Sequence, residues 1–328
     1  MDRRSFLAGL SAASIAGLPR LTHAQAGFPK RPITFLVPVA AGGGSDYIAR
    51  AVTSEWGKAL GNDVTFVVEN VSGGGGVIAC QRAARSEPDG YTLMQGYVAT
   101  LGTSPATRSV PYDPIKDFTA VGMIGGTPNV LVVDAKLPIH SLKEFVEYVR
   151  KNPNANYGSA GTGSLTHLLM ELLKQELDIP SFQHISYKGI APAFQDILGS
   201  RTQAMFPGLA AAVPHLTSKA VRALAVTGNA RSERFPDVPT FAELGVEGFD
   251  DVLQWYGVSG PAGMDSAVVS VLNESLNKTL KSADISKRLA IEAVVPMPMT
   301  PKEFADYVRK DLERWTRVAK EQNIRLDA

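Results

Sequence analysis

Three corners of small residues recur in this chain, each placed after a short apolar run. They are residues 40–46 (Ala-Ala-Gly-Gly-Gly-Ser-Asp), residues 73–76 (four glycines) and residues 158–164 (Gly-Ser-Ala-Gly-Thr-Gly-Ser). A glycine-rich corner lets backbone N–H groups approach a ligand closely, and a helix behind it adds the positive end of its dipole. Such a site binds an anion without Lys or Arg, each helix end contributing about 0.3–1 kcal/mol. Gly43 and Gly44 in the first corner and Gly163 in the third supply the backbone. Hydroxyls of Ser45, Ser159, Thr162 and Ser164 add donors. One such corner is an ordinary strand-to-helix turn; corners at matching places in two units point to an anion cleft between them.

Other single residues carry two readings each. Asp46 either caps the helix that follows it or recognises a cationic group on a ligand. His167 either faces the cleft as a neutral imidazole or packs inside. Lys188 either pairs with a ligand carboxylate or lies exposed in a turn. Cys80, the one cysteine, reads as a small buried hydrophobe.

Enzyme signatures fail. Four histidines outside the N-terminal leader (His140, His167, His184, His215) are far apart in sequence. There is no H-E-x-x-H, C-x-x-C or G-x-S-x-G. Residues 74–79 (Gly-Gly-Gly-Val-Ile-Ala) fit a loose dinucleotide-type turn, yet the acidic residue expected about 20 positions on is replaced by Gln95-Gly96-Tyr97-Val98. No cofactor and no metal site is expected. A periplasmic hydrolase or isomerase using His167 is the remaining enzymatic alternative.

The elements that hold the corners alternate. Residues 33–39 (Ile-Thr-Phe-Leu-Val-Pro-Val) read as a buried strand, followed by a helix with Ile48, Val52, Ala59 and Leu60 on one face. Residues 64–68 and 91–94 are the next strands, separated by an Ala-rich helix. A second unit begins near residues 130–133. Ser141-Leu142-Lys143-Glu144 and Thr300-Pro301-Lys302-Glu303 are capping-box patterns. Strands are expected at 182–187, 221–226 and 255–259, and a final helix carries Phe304, Val308, Leu312 and Trp315 on its apolar side. Trp255 and Trp315 are expected in packing. The fold class is α/β: two units, each a mostly parallel sheet flanked by helices, the second inserted into the first.

Composition narrows the setting. The chain has 328 residues, 33 Lys+Arg against 32 Asp+Glu, so a general nucleic-acid binder is excluded. Arg3-Arg4, an apolar stretch over residues 6–18 and Ala24-Gln25-Ala26 form an export leader, expected to be cleaved after Ala26. The run Arg3-Arg4-Ser5-Phe6-Leu7 fits the twin-arginine route, and a general secretion signal fits as well. The apolar stretch is too short to span a bilayer. A periplasmic location follows as the expectation.

Several motifs in order resemble one family. They are Val37-Pro38-Val39-Ala40-Ala41-Gly42-Gly43-Gly44-Ser45-Asp46, Pro88-Asp89-Gly90-Tyr91-Thr92-Leu93, Pro111-Tyr112-Asp113-Pro114, and residues 157–164 with His167. Tyr187-Lys188-Gly189 with Ala191-Pro192-Ala193, Leu224-Ala225-Val226-Thr227, Val238-Pro239-Thr240 and Trp255-Tyr256-Gly257 complete the pattern. The chain resembles the Bug receptors, periplasmic solute-binding components of tripartite tricarboxylate transporters.

The resemblance implies a two-domain clamshell that closes on a small organic acid, a dicarboxylate or an aromatic acid. It implies contacts at Val39, Gly43, Gly44, Ser45 and Asp46, with Val98, Ala99 and Thr100 nearby. From the second domain it implies Ser159, Thr162, Gly163, Ser164, His167, Gly189 and Ala191. Val39 departs from the aromatic residue frequent in the family, and Leu101 and Ser104 stand where His and Asn are common. The implied partners are a large and a small membrane subunit of a permease, or a sensor kinase, with the receptor itself a monomer. The expected division is residues 1–26 as leader, 27–127 plus 252–328 as the first domain, and 128–251 as the second.

Overall fold

The run Ile-Thr-Phe-Leu-Val forms β1 (Ile33–Val37), whose Ile33, Phe35, Leu36 and Val37 are fully buried. Burial on both faces follows from its place inside a sheet, between two parallel neighbours. The structure is a computed structural model describing residues 27–61 and 64–326. The expected leader and its cleavage after Ala26 lie outside the described residues.

After β1 come α1 (Gly44–Ala59), β2 (Phe66–Asn70), α2 (Val77–Ala84), β3 (Thr92–Tyr97), α3 (Ser104–Thr107) and β4 (Phe118–Pro128). The chain then builds β5 (Val130–Asp134), α4 (Leu142–Lys151), β6 (Asn156–Ser159), α5 (Leu165–Glu176), β7 (Gln183–Ser186) and α6 (Ile190–Leu198). It continues through β8 (Ala204–Met205), α7 (Leu209–Thr217) and β9 (Val221–Val226). It ends with β10 (Leu253–Pro261), α8 (Ser266–Leu280), α9 (Ala283–Ala290), β11 (Val295–Pro296) and α10 (Pro301–Glu321).

Two sheets result. The first has strand order β11-β4-β10-β3-β1-β2, the second β7-β6-β8-β5-β9. Both are mixed. β10 runs antiparallel to β3 and β4, and β5 runs antiparallel to β8 and β9. The reason is topological: β5 and β10 are the strands by which the chain enters one lobe from the other, so each starts at the end where its neighbours finish. β4 leads into β5 through Asn129, whose backbone N–H donates to the Thr227 hydroxyl at 2.9 Å. Thr227 N–H returns a bond to Asn129 O, tying the outgoing crossing to the end of β9, and the return crossing lies beside it, Leu253 pairing with Pro128.

Strand boundaries shift from the sequence expectation where pairing decides them. Phe66 pairs with Ile33 and Asn70 with Val37, so β2 lies two residues beyond the run 64–68. Of the two capping boxes, Thr300–Glu303 is complete. At α4 the Ser141 hydroxyl accepts from Glu144 N–H, but the Glu144 carboxylate accepts from His140 N–H instead of Ser141.

The packing is layered. α1, α8 and α9 bury Ile48, Val52, Trp56, Leu272 and Leu289 against one face of the first sheet. α6 and α7 cover one face of the second. A third cluster runs continuously through both lobes, joining α2 and α10 to α4 and α5 and including Trp255 and Trp315. Trp255 Nε1 donates to Asp311 Oδ2 at 2.8 Å. Cys80 is a free, buried thiol within it. Among the described residues no helix is long and apolar enough to cross a membrane.

Candidate functional site

The helices fall into two groups by how their amino ends are closed. α4, α5, α8, α9 and α10 each carry a Ser, Thr or Asp cap whose side chain accepts a backbone N–H. α1, α2, α6 and α7 begin instead after Gly43, Gly76, Gly189 and Gly208, with no side-chain cap. An uncapped amino end leaves backbone donors free for water or a ligand. In α1 the first intrahelical bond is from Tyr47 N–H to Gly43 O, so the N–H groups of Gly44, Ser45 and Asp46 precede the ladder.

The first-lobe corners sit side by side. Gly76 lies so close to its neighbours that a Cβ there would stand 2.5 Å from Thr100 Cγ2 and 3.2 Å from Pro38 Cβ. Only glycine permits that approach. Ser45 Oγ donates to Gln95 Oε1 at 3.0 Å. Gln95 is fully buried and its Nε2 has no partner, an amide donor left over beside the first turn of α1. Tyr97 and Tyr256 stack at 6.3 Å on the same side of the sheet. Gln254 Nε2 donates to the Tyr256 hydroxyl at 2.8 Å, while its Oε1 comes within 2.7 Å of where a Gly208 Cβ would be. Burial pushes the Tyr256 hydroxyl up to about 12, so it stays a neutral donor.

Asp46 is buried and tethers the first corner. Its carboxylate accepts from Gly42 N–H (2.9 Å), Arg50 Nε (3.0 Å) and Asn70 Nδ2 (2.9 Å). Burial works to raise its pKa, but the bonds from Arg50, Gly42 and Asn70 outweigh it and hold the group below the ordinary range. Val39 is half-buried beside it, its carbonyl accepting from Asn70 Nδ2. Val98, Ala99 and Thr100 form the turn after β3, where the Thr100 hydroxyl donates to Tyr97 O and its carbonyl accepts from Tyr112.

In the second lobe the corner is knotted internally. Gly161 N–H donates to Ser159 Oγ, Thr162 N–H to Ser186 Oγ and Gly163 N–H to His167 Nδ1 at 3.2 Å. Those three donors serve the loop itself. Ser164 caps α5, and Gly189 N–H donates to Ala160 O, leaving the first turn of α6 with the exposed Ala191 at an open end. Lys188 is exposed. Gly163 meets the first lobe directly, since a Cβ there would stand 2.8 Å from Thr107 Oγ1 and 3.1 Å from Leu326 Cδ1.

Beneath this corner lies a buried polar network that the sequence reading missed. His167 and His184 stack at 3.8 Å, Ser159 Oγ lies 2.6 Å from His184 Nε2, and Tyr157 bonds Glu171, which also holds Lys174 at 2.9 Å. Burial lowers both histidines to about 4; the Lys174 charge adds to this at His167 and the neighbouring His167 adds to it at His184. Both rings are neutral at ordinary pH and act as a scaffold. Ser159 is fully buried, so its contact with His184 is not an accessible nucleophile pair.

Four further residues reach the site without any local motif to announce them: Gln95, Gln254, Tyr256 and Arg108. Arg108 donates to Gly74 O (3.2 Å) and Ser104 Oγ (2.9 Å), bringing to the second corner a guanidinium with no acidic partner among the described residues. A glutamine or arginine at a strand or helix end has no distinguishing spacing, so only the fold reveals it. No group of three or more His, Cys, Asp or Glu suited to a metal occurs among the described residues. A separate hollow of about 390 Å³ lies at the outer edge of β9, lined by Leu216, Arg222, Phe235 and Val238. None of the corner residues borders it, and Arg222 is spent on the carbonyls of Ala135, Leu137 and Ile139.

Known proteins share the sequence and the fold of this chain. The chain is 34% identical over 302 residues to protein BugT of Bordetella pertussis, covering 91% of each chain. Its fold matches MatC of Rhodopseudomonas palustris with bound malate at a TM-score of 0.73 and 34% identity, covering 89% of this chain and 99% of that one. It also matches a second R. palustris protein, solved with adipate, at a TM-score of 0.77 and 31% identity over 91% and 99% of the two chains. The family model described as the tripartite tricarboxylate transporter family receptor covers residues 48–324, and the chain belongs to that family.

Proposed function

We propose that this protein is a periplasmic receptor that captures a small organic carboxylate between its two lobes and presents it to a tripartite tricarboxylate-type permease. The observation that carries the reading is the uncapped amino end of α1, with Ser45 and the orphaned Gln95 amide beside it and Arg108 across the corner. Charge-assisted bonds to a carboxylate are the strong ones, and here they are preorganised on rigid elements. The relatives solved with malate and adipate support a carboxylate as ligand. The proposed binding set is Val39, Gly43, Gly44, Ser45, Asp46, Val98, Ala99 and Thr100 from one side. From the other it is Ser159, Thr162, Gly163, Ser164, His167, Gly189 and Ala191. In it Asp46, Ser159, Ser164 and His167 hold loops, and the α1 backbone donors touch the ligand.

The proposed division is residues 27–127 with 252–328, and 128–251, hinged at the paired crossings near Pro128 and Leu253. Export by the twin-arginine or the general secretion route with cleavage after Ala26, monomeric action, large and small membrane subunits as partners and a sensor kinase as a second listener belong to the same proposal. The protein is proposed to be a receptor without catalysis. His167 is buried, and its Nδ1 accepts from Gly163, which opposes a general-base role.

The test is mass spectrometry of what co-purifies, followed by calorimetric titration with mono- and dicarboxylic acids. Stoichiometric binding without turnover supports the reading. A product formed from the acid, lost in His167→Ala, would replace it with the enzymatic one.

A further inference from the structure

α9 is followed by a tight turn in which Glu292 N–H donates to Leu289 O, Ala293 N–H to Ala290 O and Val294 N–H to Leu289 O. The chain then enters β11, whose Val295 pairs with Gly126 near the end of β4 that crosses to the second lobe. Backbone bonds therefore fix Glu292 at the cleft end of the first sheet. Its carboxylate lies against Gly44, the first residue of α1. A Cβ at that position would stand 3.0 Å from Glu292 Cδ and closer still to Oε2. The same carboxylate acts electrostatically on the Tyr256 hydroxyl.

Among the described residues no hydrogen bond or ion pair holds this carboxylate. The nearest cation on α9, Arg288, is engaged with Ser54 (2.9 Å) and Glu55 (3.6 Å). An acid in an anion-binding corner repels a ligand carboxylate unless the ligand also brings a positive or hydrogen-bonding group to meet it. Next to Gly44, Ser45 holds the fully buried Gln95, which has the opposite defect, a donor with no acceptor among the described residues. One ligand satisfies both: a carboxylate for the Gln95 amide and the α1 backbone N–H groups, and a donor beside it for Glu292.

We propose that Glu292 is a specificity residue that selects acids carrying a hydroxyl or ammonium substituent next to a carboxylate and rejects the unsubstituted acid of the same frame. The proposal rests on the carboxylate-receptor reading. The glycine at position 44 is what lets the Glu292 carboxylate come this close to the first turn of α1.

The test uses matched acids of four, five and six carbons, each as plain diacid, 2-hydroxy diacid and 2-amino diacid, titrated into purified protein and into Glu292→Gln. The expected result is that the wild type prefers the substituted member of its best frame by about tenfold or more. In Glu292→Gln the 2-amino acid weakens by about thirtyfold, the 2-hydroxy acid weakens less because an amide oxygen still accepts, and the plain diacid tightens. If Glu292→Gln shifts all three equally, or only lowers thermal stability, Glu292 is a helix-end charge and the proposal is wrong while the receptor reading stands. If no acid of any frame binds the wild type, the receptor reading falls and this proposal falls with it.

Discussion

Replacing Gly163 by alanine probes the contact between the lobes. Gly163 has φ +73°, a left-handed conformation costing an L-residue with Cβ about 1–2 kcal/mol, of which about 0.4–1 kcal/mol is recovered through the stiffer unfolded chain. The added methyl also stands 2.8 Å from Thr107 Oγ1 and 3.1 Å from Thr107 Cβ, an overpacked contact of about 1–3 kcal/mol. Together these predict a loss of about 2–4 kcal/mol in denaturant unfolding. The steric part belongs to the pair, so Thr107→Ala should return about 1 kcal/mol of it in a double-mutant cycle. Ligand affinity should fall with stability, because the methyl pushes the third corner away from α3. A cycle with no coupling between positions 163 and 107 would refute the packing of the lobes described here.

Other consequences are equally open to measurement. Ser45→Ala strands the Gln95 amide entirely and should cost about 1–3 kcal/mol of stability as well as weakening acid binding, read by thermal shift with and without ligand. His167 and His184 should stay neutral in NMR titration until about pH 4. Their folded pKa values are depressed, so the stability they contribute is complete above the unfolded value of about 6.5 and is lost as pH falls towards 4. Buried Asp311 works in the opposite sense, its pKa raised to about 6 by burial, so the fold gains from its protonation over part of the same range. The histidine share is therefore isolated by comparing wild type with His167→Gln, whose stability should decline less between pH 6.5 and 4, by up to about 3 kcal/mol. Asp46→Asn should loosen residues 40–46 and weaken acid binding, since the Arg50 bond and the tether to Gly42 depend on its charge.

Much of the scaffold was legible before any coordinates. The run at β1, the glycine corner and the amphipathic start of α1 specify one another, because an interior strand must be apolar on both faces and the turn behind it must admit positive φ or close approach. The complete Thr300–Glu303 capping box and the burial of Cys80, Trp255 and Trp315 followed in the same way from local pattern. What local pattern could not show is partnership across the fold. Trp56 fills the space between α1 and α8 by donating to Ser275, 219 residues away, and no periodicity reveals that. The antiparallel course of β5 and β10 comes from the two crossings, which are a property of the whole chain. In the proposed site the glycines and hydroxyls are legible because they cluster in sequence. Gln95, Arg108, Gln254, Tyr256 and Glu292 are not, because each arrives alone on a different element. From sequence the third corner reads as a set of free amides, whereas three of them are spent on Ser159, Ser186 and His167.

The most direct measurement is a crystal structure with the bound acid. The account predicts a carboxylate oxygen within hydrogen-bonding distance of the Gly44, Ser45 or Asp46 amide, with the second lobe closed over it. An acid bound away from the first turn of α1, for instance in the hollow beside β9, would contradict it.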